Sequence, residues 1–265
     1  MNILDPGFGS LDQQLWELLF LSMRVGAALL AAPMVGVLAV PPTVRALLAI
    51  AFAVFVAIWV PPAQVPDMMS FGAVVALAQE VVIGAALGVV LQIAFAVPLI
   101  AAEQISGTMG LAIATSIDPA SGAQSGALGT FFGLMLTLLF YAVGGHLLWF
   151  GLLIESFRLV PPGEFAIGPD TAQSMVMFMG LCLATAAAIA LPVVLVLLIV
   201  QLITGVIARS APALNLFALG LPAGTLAGIT ALIIGLPILI EQFSALIEVA
   251  LGQAQRVIES TGGAA

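Results

Sequence analysis

The fold is decided by residues 174–208, which read SMVMFMGLCLATAAAIALPVVLVLLIVQLITGVIA and contain no charged side chain. A helix needs about 20 apolar residues to cross roughly 30 Å of hydrocarbon, and this run is longer than that. It is apolar on every side instead of alternating, so it does not have the pattern of a membrane β-barrel strand. The stretch therefore predicts a membrane helix.

The rest of the chain has the same character. Its 265 residues are 63% hydrophobic and 7% charged, with a mean hydropathy of +1.28, whereas soluble domains carry about 25% charged residues. These values exclude a soluble globular enzyme and a disordered chain. The net charge of −8, with five arginines and no lysine, also excludes the basic patch that nucleic-acid binding requires.

Apolar runs of membrane-spanning length recur along the chain, and prolines interrupt several of them. We therefore expect an all-α integral membrane protein, one polytopic unit over residues 1–265, with about six long, broken apolar helices. The six runs are Leu15–Val40, Val44–Val60, Phe71–Ala102, Ala127–Ile154, Ser174–Ala208 and Ala213–Leu251. Breaks are expected at Pro98, Pro192, Pro222 and Pro237.

The arginines give no membrane orientation. If each run crosses once, Arg45 and Arg209 fall on one side of the membrane. Arg158 and Arg256 then fall on the other side, so the usual excess of basic residues in cytoplasmic loops is missing. Two explanations stay open: the chain has too few charges for a bias, or it is inserted as part of an assembly whose partners shield it.

Glycines recur at helical spacing in two of the runs. Gly84 and Gly88 form one pair, and Gly220, Gly224 and Gly228 form an unbroken row at intervals of four residues. Such a row makes a smooth helix face where another backbone can approach closely. The neighbour is either a helix of this chain or one of a partner subunit.

Four polar side chains within the apolar parts are expected to be buried: Arg24, Glu80, Glu103 and His146. An intramembrane carboxylate is a candidate for proton or ion handling, but it can also lie at a helix end or pair across a subunit contact. Glu17 lies seven residues before Arg24 on the same helix face, so those two side chains could pair directly. His146 could titrate near neutral pH or serve as a hydrogen-bonded histidine of the bundle.

Residues 103–126 are the most unusual segment, reading EQISGTMGLAIATSIDPASGAQSG. Proline pushes the residue before it out of the helical region, so Asp118 and Pro119 predict a turn. Irregular backbone at membrane depth is tolerated only inside protein or along a cavity. The segment is therefore either a surface loop or a re-entrant element of a pore.

The chain has very few of the residues that catalysis commonly uses. There is no G-x-S-x-G, H-E-x-x-H, P-loop or C-x-x-C motif, and His146 and Cys182 are the sole histidine and cysteine. A serine triad, a serine–lysine dyad and a His/Cys metal site are therefore excluded. We expect a protein that is not an enzyme and that carries no cofactor and no metal.

Five stretches, taken in order along the chain, form a specific combination: AAPMVGVLAVPPTVRALLAIAFA, AQEVVIGAALGVVLQIAF, AAEQISGTMGLAIATSIDPASG, YAVGGHLLWFGLLIESFRLVPPG and APALNLFALGLPAGTLAGI. With these stretches the chain resembles the FliR family, a component of the flagellar type III export gate, whose virulence-secretion relatives are the SctT proteins. The resemblance covers roughly residues 12 to 250, and the combination of these stretches, more than any one of them, makes it specific.

The resemblance implies a fold and a set of partners. It implies a FliP-like part over residues 1–172, followed by a FliQ-like helical hairpin and tail over residues 173–265. It implies assembly with FliP and FliQ into an export gate of the flagellar basal body in the bacterial inner membrane, with FlhB on its cytoplasmic side. Exported flagellar proteins would be its transient substrates.

The resemblance also implies a plug that closes the channel. Carried onto this chain, the plug comprises Gly110, Leu111, Ala112, Ile113, Ala114, Thr115, Ser116, Ile117, Asp118, Pro119, Ala120, Ser121 and Gly122. Plugs of the family can be rich in phenylalanine, whereas Leu111, Ile113 and Ile117 would make an aliphatic seal here.

Two other functions are alternatives to the flagellar gate subunit. One is the equivalent subunit of a virulence type III secretion system. The other is a secondary transporter with helices broken near the midplane. The transporter predicts inverted repeats and a charged substrate site, and the sequence has neither.

Overall fold

The computed structural model describes residues 11–34, 40–59, 70–110, 126–162, 168–210 and 216–262. These residues form seven helices and, within those ranges, no strand, so the expected all-α fold is confirmed. The helices are α1 (Leu11–Ala31), α2 (Pro42–Trp59), α3 (Phe71–Thr108), α4 (Ala127–Ala142), α5 (Gly145–Leu159), α6 (Pro169–Ser210) and α7 (Leu216–Gly262).

Four helices are long and apolar enough to cross a membrane, or five spans if α4 and α5 count as one bent span. They are α2, α3, α6 and the part of α7 from Gly220 to Thr261. At 1.5 Å per residue α3, α6 and α7 are roughly 57, 63 and 70 Å long, about twice the hydrocarbon thickness. The helix α1 is not among the four, although the first apolar run was expected to be a span.

The expected breaks at interior prolines are wrong. Helix α3 continues through Pro98, α6 through Pro192, and α7 through Pro222 and Pro237. A proline removes one helical hydrogen bond, whereas ending the helix in apolar surroundings would leave several backbone groups without partners, so continuation costs less. Proline begins two helices instead: Pro42 is the first residue of α2 and Pro169 is the first residue of α6, positions where the missing N–H is harmless.

The fourth apolar run forms two helices instead of one, although no proline lies at the break. Helix α4 ends at Ala142, and α5 begins at Gly145. Between them Gly144 adopts a left-handed conformation with φ of 75°, which favours glycine. The Gly144 carbonyl then accepts hydrogen bonds from the N–H groups of Leu147 and Leu148, which start α5.

The chain packs as two compact units, and both are discontinuous in sequence. The first unit combines Met1–Ile93, Gly144–Phe178 and Val249–Ala265, and the second combines Ala94–Val143 with Met179–Glu248. The helices α3, α6 and α7 each contribute residues to both units. The division at residue 172 into a FliP-like and a FliQ-like part concerns likeness to other proteins and stays a prediction.

Aromatic contacts mark the core of each unit. In the first unit the indole N–H of Trp149 donates to the carbonyl of Leu87 over 3.3 Å, and the rings of Phe52 and Phe150 stack at 4.7 Å. In the second unit the rings of Phe132 and Phe243 meet edge to face at 5.7 Å. Phe132 and Phe243 are buried, whereas Phe52 and Phe150 are half-buried, and aromatic pairs of this kind add to the stabilisation that area burial provides.

Candidate functional site

The structure brings together two of the four polar residues that were expected to be buried. Arg24 on α1 and Glu80 on α3 are fully buried and form an ion pair. The arginine Nε donates to Oε2 of Glu80 over 2.7 Å, and Nη2 donates to Oε1 over 3.0 Å. This two-bond geometry is the strongest arrangement available to an arginine and a carboxylate.

The end of α5 supplies the other acceptors for Arg24. Its Nη1 donates to the carbonyl oxygen of Ser156 over 2.8 Å and to the Ser156 hydroxyl over 3.3 Å. Its Nη2 also donates to the carbonyl of Val160 over 3.0 Å. The guanidinium lies 4.3 Å from the centre of the Phe157 ring. Guanidinium carries five N–H donors, and these five hydrogen bonds match them in number.

The sequence left the partner of Arg24 open, with Glu17 as one candidate. Glu17 shares the helix face of Arg24, but the partner in the structure is Glu80, 56 positions further along the chain. The carboxylate is thus paired within this chain and not across a subunit contact. Two of the other acceptors, the carbonyls of Ser156 and Val160, belong to the main chain and carry no signal in the sequence.

The glycine pair of α3 lies against α1 next to this ion pair. A Cβ added at Gly84 would overlap with the carbonyl oxygen of Arg24 and would lie 3.1 Å from the Ala28 nitrogen. A Cβ added at Gly88 would lie 2.5 Å from the Cβ of Ala31. Glycine at both positions is therefore what lets the two backbones approach closely enough for Arg24 to reach Glu80.

The other two polar residues are placed differently. Glu103 is exposed in this chain, so the expectation of a buried side chain is wrong there. It lies in the last turns of α3, where its Oε1 accepts a hydrogen bond from the N–H of Gly126 over 3.3 Å, just before α4. His146 is half-buried in the first turn of α5, so it is only partly removed from the surface.

The expected plug residues 111–122 lie outside the described residues, but the segment's attachment to α3 is described. Met109 is buried, and Gly110 takes a φ of 82°. The side-chain amide of Gln201 on α6 donates to the carbonyl of Thr108 over 2.6 Å. The end of α3 is therefore fixed to α6 immediately before the segment begins.

The glycine row of α7 receives Met109. A Cβ added at Gly228 would lie 2.7 Å from three atoms of the Met109 side chain, and one added at Gly224 would lie 3.5 Å from the Met109 carbonyl oxygen. Gly220 has no such neighbour within 4 Å among the described residues. The glycine row thus makes a close contact with Met109 at Gly228 and an ordinary van der Waals contact at Gly224. At Gly220 the space is open among the described residues.

Both arrangements are contacts between helices. Arg24 and Glu80 neutralise each other and are inaccessible, and the described ranges contain no group of three His, Cys, Asp or Glu side chains that could hold a metal ion. What the two sites do is fix helices: the ion pair holds α1, α3 and the end of α5, and Met109 with Gln201 holds the end of α3.

Comparison with known proteins gives the family of this chain. Residues 15–250 match the family described as bacterial export proteins, family 1. The chain is 32% identical to the flagellar biosynthetic protein FliR of Escherichia coli over 229 residues, which is 86% of each chain, and 30% identical to that of Aquifex aeolicus over 230 residues, which is 86% of this chain and 88% of the relative. It is 28% identical to the surface presentation of antigens protein SpaR of Salmonella typhimurium over 158 residues, 60% of this chain and 59% of the relative. With its all-helical, apolar fold, the chain therefore belongs to family 1 of the bacterial export proteins, the family of the flagellar FliR proteins.

Proposed function

We propose that this chain is the FliR subunit of a flagellar type III export gate, a non-enzymatic part of the channel that passes unfolded flagellar proteins across the bacterial inner membrane. The observation that carries the proposal is the match to FliR proteins over nearly the whole length of both chains. The shorter match to SpaR makes the virulence-secretion role the second choice. The matched family is described as one of export proteins, so it does not support the alternative of a secondary transporter.

The exposed apolar surface supports assembly with partners, which we propose to be FliP, FliQ and FlhB. On α6 large apolar side chains are exposed from Val176 to Ile207, a distance of roughly 47 Å along the helix. Hydrocarbon covers only about 30 Å of a helix that stands upright. Tilt reduces the excess without removing it, so part of this surface fits a protein neighbour better than lipid.

We propose further that residues 110–122 form the plug of the closed channel. The support is the firm attachment of its first end: Met109 packs against Gly228, and the carbonyl of Thr108 is bonded to Gln201. The Glu103 carboxylate also bonds to Gly126, which joins the two ends of the segment. A segment held at its base can change conformation without displacing the helices that carry it.

The test is deletion of the gene in its own bacterium, with the natural gene restored from a plasmid as the control. We expect growth to be normal, secretion of extracellular flagellar proteins to stop, and motility to be lost. Cytoplasmic levels of one exported protein should be measured too, because loss of secretion must not reflect loss of synthesis. A deletion strain that swims with normal filaments would refute the assignment.

A further inference from the structure

The carbonyls that Arg24 contacts on α5 are those at the end of a helix. Carbonyls at the end of a helix carry partial negative charge, because few or no helical N–H groups follow to bond with them. Val160 follows the last residue of α5, and its own N–H closes the helix onto the Ser156 carbonyl. Arg24 donates to the carbonyls of both residues. It therefore caps α5 from a helix that lies more than 130 positions earlier in the chain.

The hydroxyl and the ring beside these carbonyls complete the site. The Ser156 hydroxyl donates to the Leu153 carbonyl over 2.7 Å, which leaves its oxygen free to accept from Arg24. The face of Phe157 lies against the guanidinium, where an aromatic ring attracts a cation. Two carbonyls, a hydroxyl oxygen and a ring together match the planar set of donors of a guanidinium, which an ammonium group does not have.

Because Arg24 is charged and buried, its ion pair with Glu80 is required for the stability of this packing. A buried arginine without its carboxylate, or a buried carboxylate without its arginine, is strongly destabilising. Both Arg24 and Glu80 are fully buried, so α1 can leave α3 only if both charges lose their partners. When it leaves, the end of α5 loses its cap in the same event.

We propose that Arg24 and Glu80 form a latch that couples two distant elements: the last turn of α5 is helical only while α1 is seated on α3. That turn is the point from which the chain passes through residues 161–168 into α6. Seating of α1 thus decides whether the connection from α5 to α6 starts from a complete helical turn.

Trypsin provides a probe that needs no label. The chain has no lysine, so its five arginines are the only cleavage sites. Arg158 is exposed but lies in the last turn of α5, and cleavage there requires that turn to open. Arg209 in the last turn of α6 and Arg256 in α7 serve as internal controls.

The experiment compares cleavage of the full-length chain, purified in detergent, among four variants. Arg24→Met and Arg24→Lys should both speed the cut after Arg158 by roughly tenfold or more, because neither side chain replaces the bonds to the two carbonyls. Cuts after Arg209 and Arg256 should keep the parent rate. Ser22→Ala is the matched control on α1, since that hydroxyl bonds only to Leu19 within its own helix, and it should change nothing.

The double variant Arg24→Met with Glu80→Met separates two effects: the loss of the α5 cap and the cost of leaving a buried carboxylate unpaired. It removes the unpaired carboxylate, so thermal stability should recover towards that of the parent even if Arg24→Met alone folds poorly. The cut after Arg158 should nevertheless remain fast, because the carbonyls of Ser156 and Val160 still lack the hydrogen bonds that Arg24 donates. The latch is overturned if Arg24→Lys is cleaved at the parent rate, if all three cuts accelerate together, or if the double variant restores protection of Arg158.

Discussion

At the residue scale, the molecule depends on a few positions where side-chain size or charge is fixed by a neighbour far away in sequence. Arg24 and Glu80 could each be identified from the sequence as charges in apolar surroundings, but their pairing could not. Glu17 has a suitable spacing from Arg24 on the same helix face, but Arg24 pairs with Glu80 instead. Tertiary packing of α1 on α3 decides the pair, and spacing along one helix does not contain that information.

Gly84 offers the sharpest test of this packing. Gly84→Ala places a methyl group against the backbone of Arg24, which cannot move without displacing the ion pair. We expect a loss of about 1–3 kcal/mol in the free energy of unfolding, measured as a lower melting temperature of the purified chain in detergent.

The control for Gly84 is Gly151→Ala on α5. A Cβ there meets no heavy atom within 4 Å among the described residues, and alanine favours a helix over glycine by about 1 kcal/mol. This variant should therefore melt at or above the parent temperature. Equal melting temperatures for the two variants would mean that α1 and α3 are not in close contact at Gly84.

At the element scale, the helices could be predicted from apolar run length, and most of their ends lie within a few residues of the run ends. The errors have physical causes. Pro98 and Pro192 do not break helices, because apolar surroundings penalise a broken helix more than one lost hydrogen bond. The break at Gly144 lies in an unbroken apolar run, where the pair Gly144 and Gly145 was the only signal available.

The contact between Met109, at the end of α3, and Gly228 on α7 should stabilise the packing of these two helices. Gly228→Leu should displace the buried Met109 side chain and lower the melting temperature, whereas Gly220→Leu should not, because Gly220 has open space among the described residues. Combining Gly228→Leu with Met109→Ala should recover part of the loss, since the smaller side chain makes room. Similar losses for the two leucine variants would contradict this contact.

The segment that follows Met109 is predicted to seal the pore by packing. Its side chains are apolar apart from a few hydroxyls and Asp118, and hydrophobic constrictions close pores by excluding water. Deletion of residues 111–117 should leave the complex assembled but conductive to ions in liposomes. A shortened protein that assembles and is as tight as the parent would show that this segment is not the plug.

At the scale of the whole molecule, helix length and exposed apolar surface support the proposal that partner subunits cover part of this chain. Its three longest helices exceed the hydrocarbon thickness about twofold, and all three expose large apolar side chains. The balanced distribution of arginines fits the same interpretation, because a subunit shielded by partners need not follow the usual charge bias. The sequence could predict the membrane class and the family, whereas the exposed apolar surfaces that we propose partners to cover emerge only from the packing.

The central claim is that exported polypeptides pass along this chain, and crosslinking to a stalled substrate tests it most directly. A photoreactive amino acid replaces Ile113 in the proposed plug, and in a control it replaces Ile58, which is exposed on α2. An exported flagellar protein fused to a tightly folded domain supplies the stalled substrate. The account predicts a crosslink from position 113 and none from position 58. Crosslinks from neither position, in cells that still secrete the unfused protein, would contradict it.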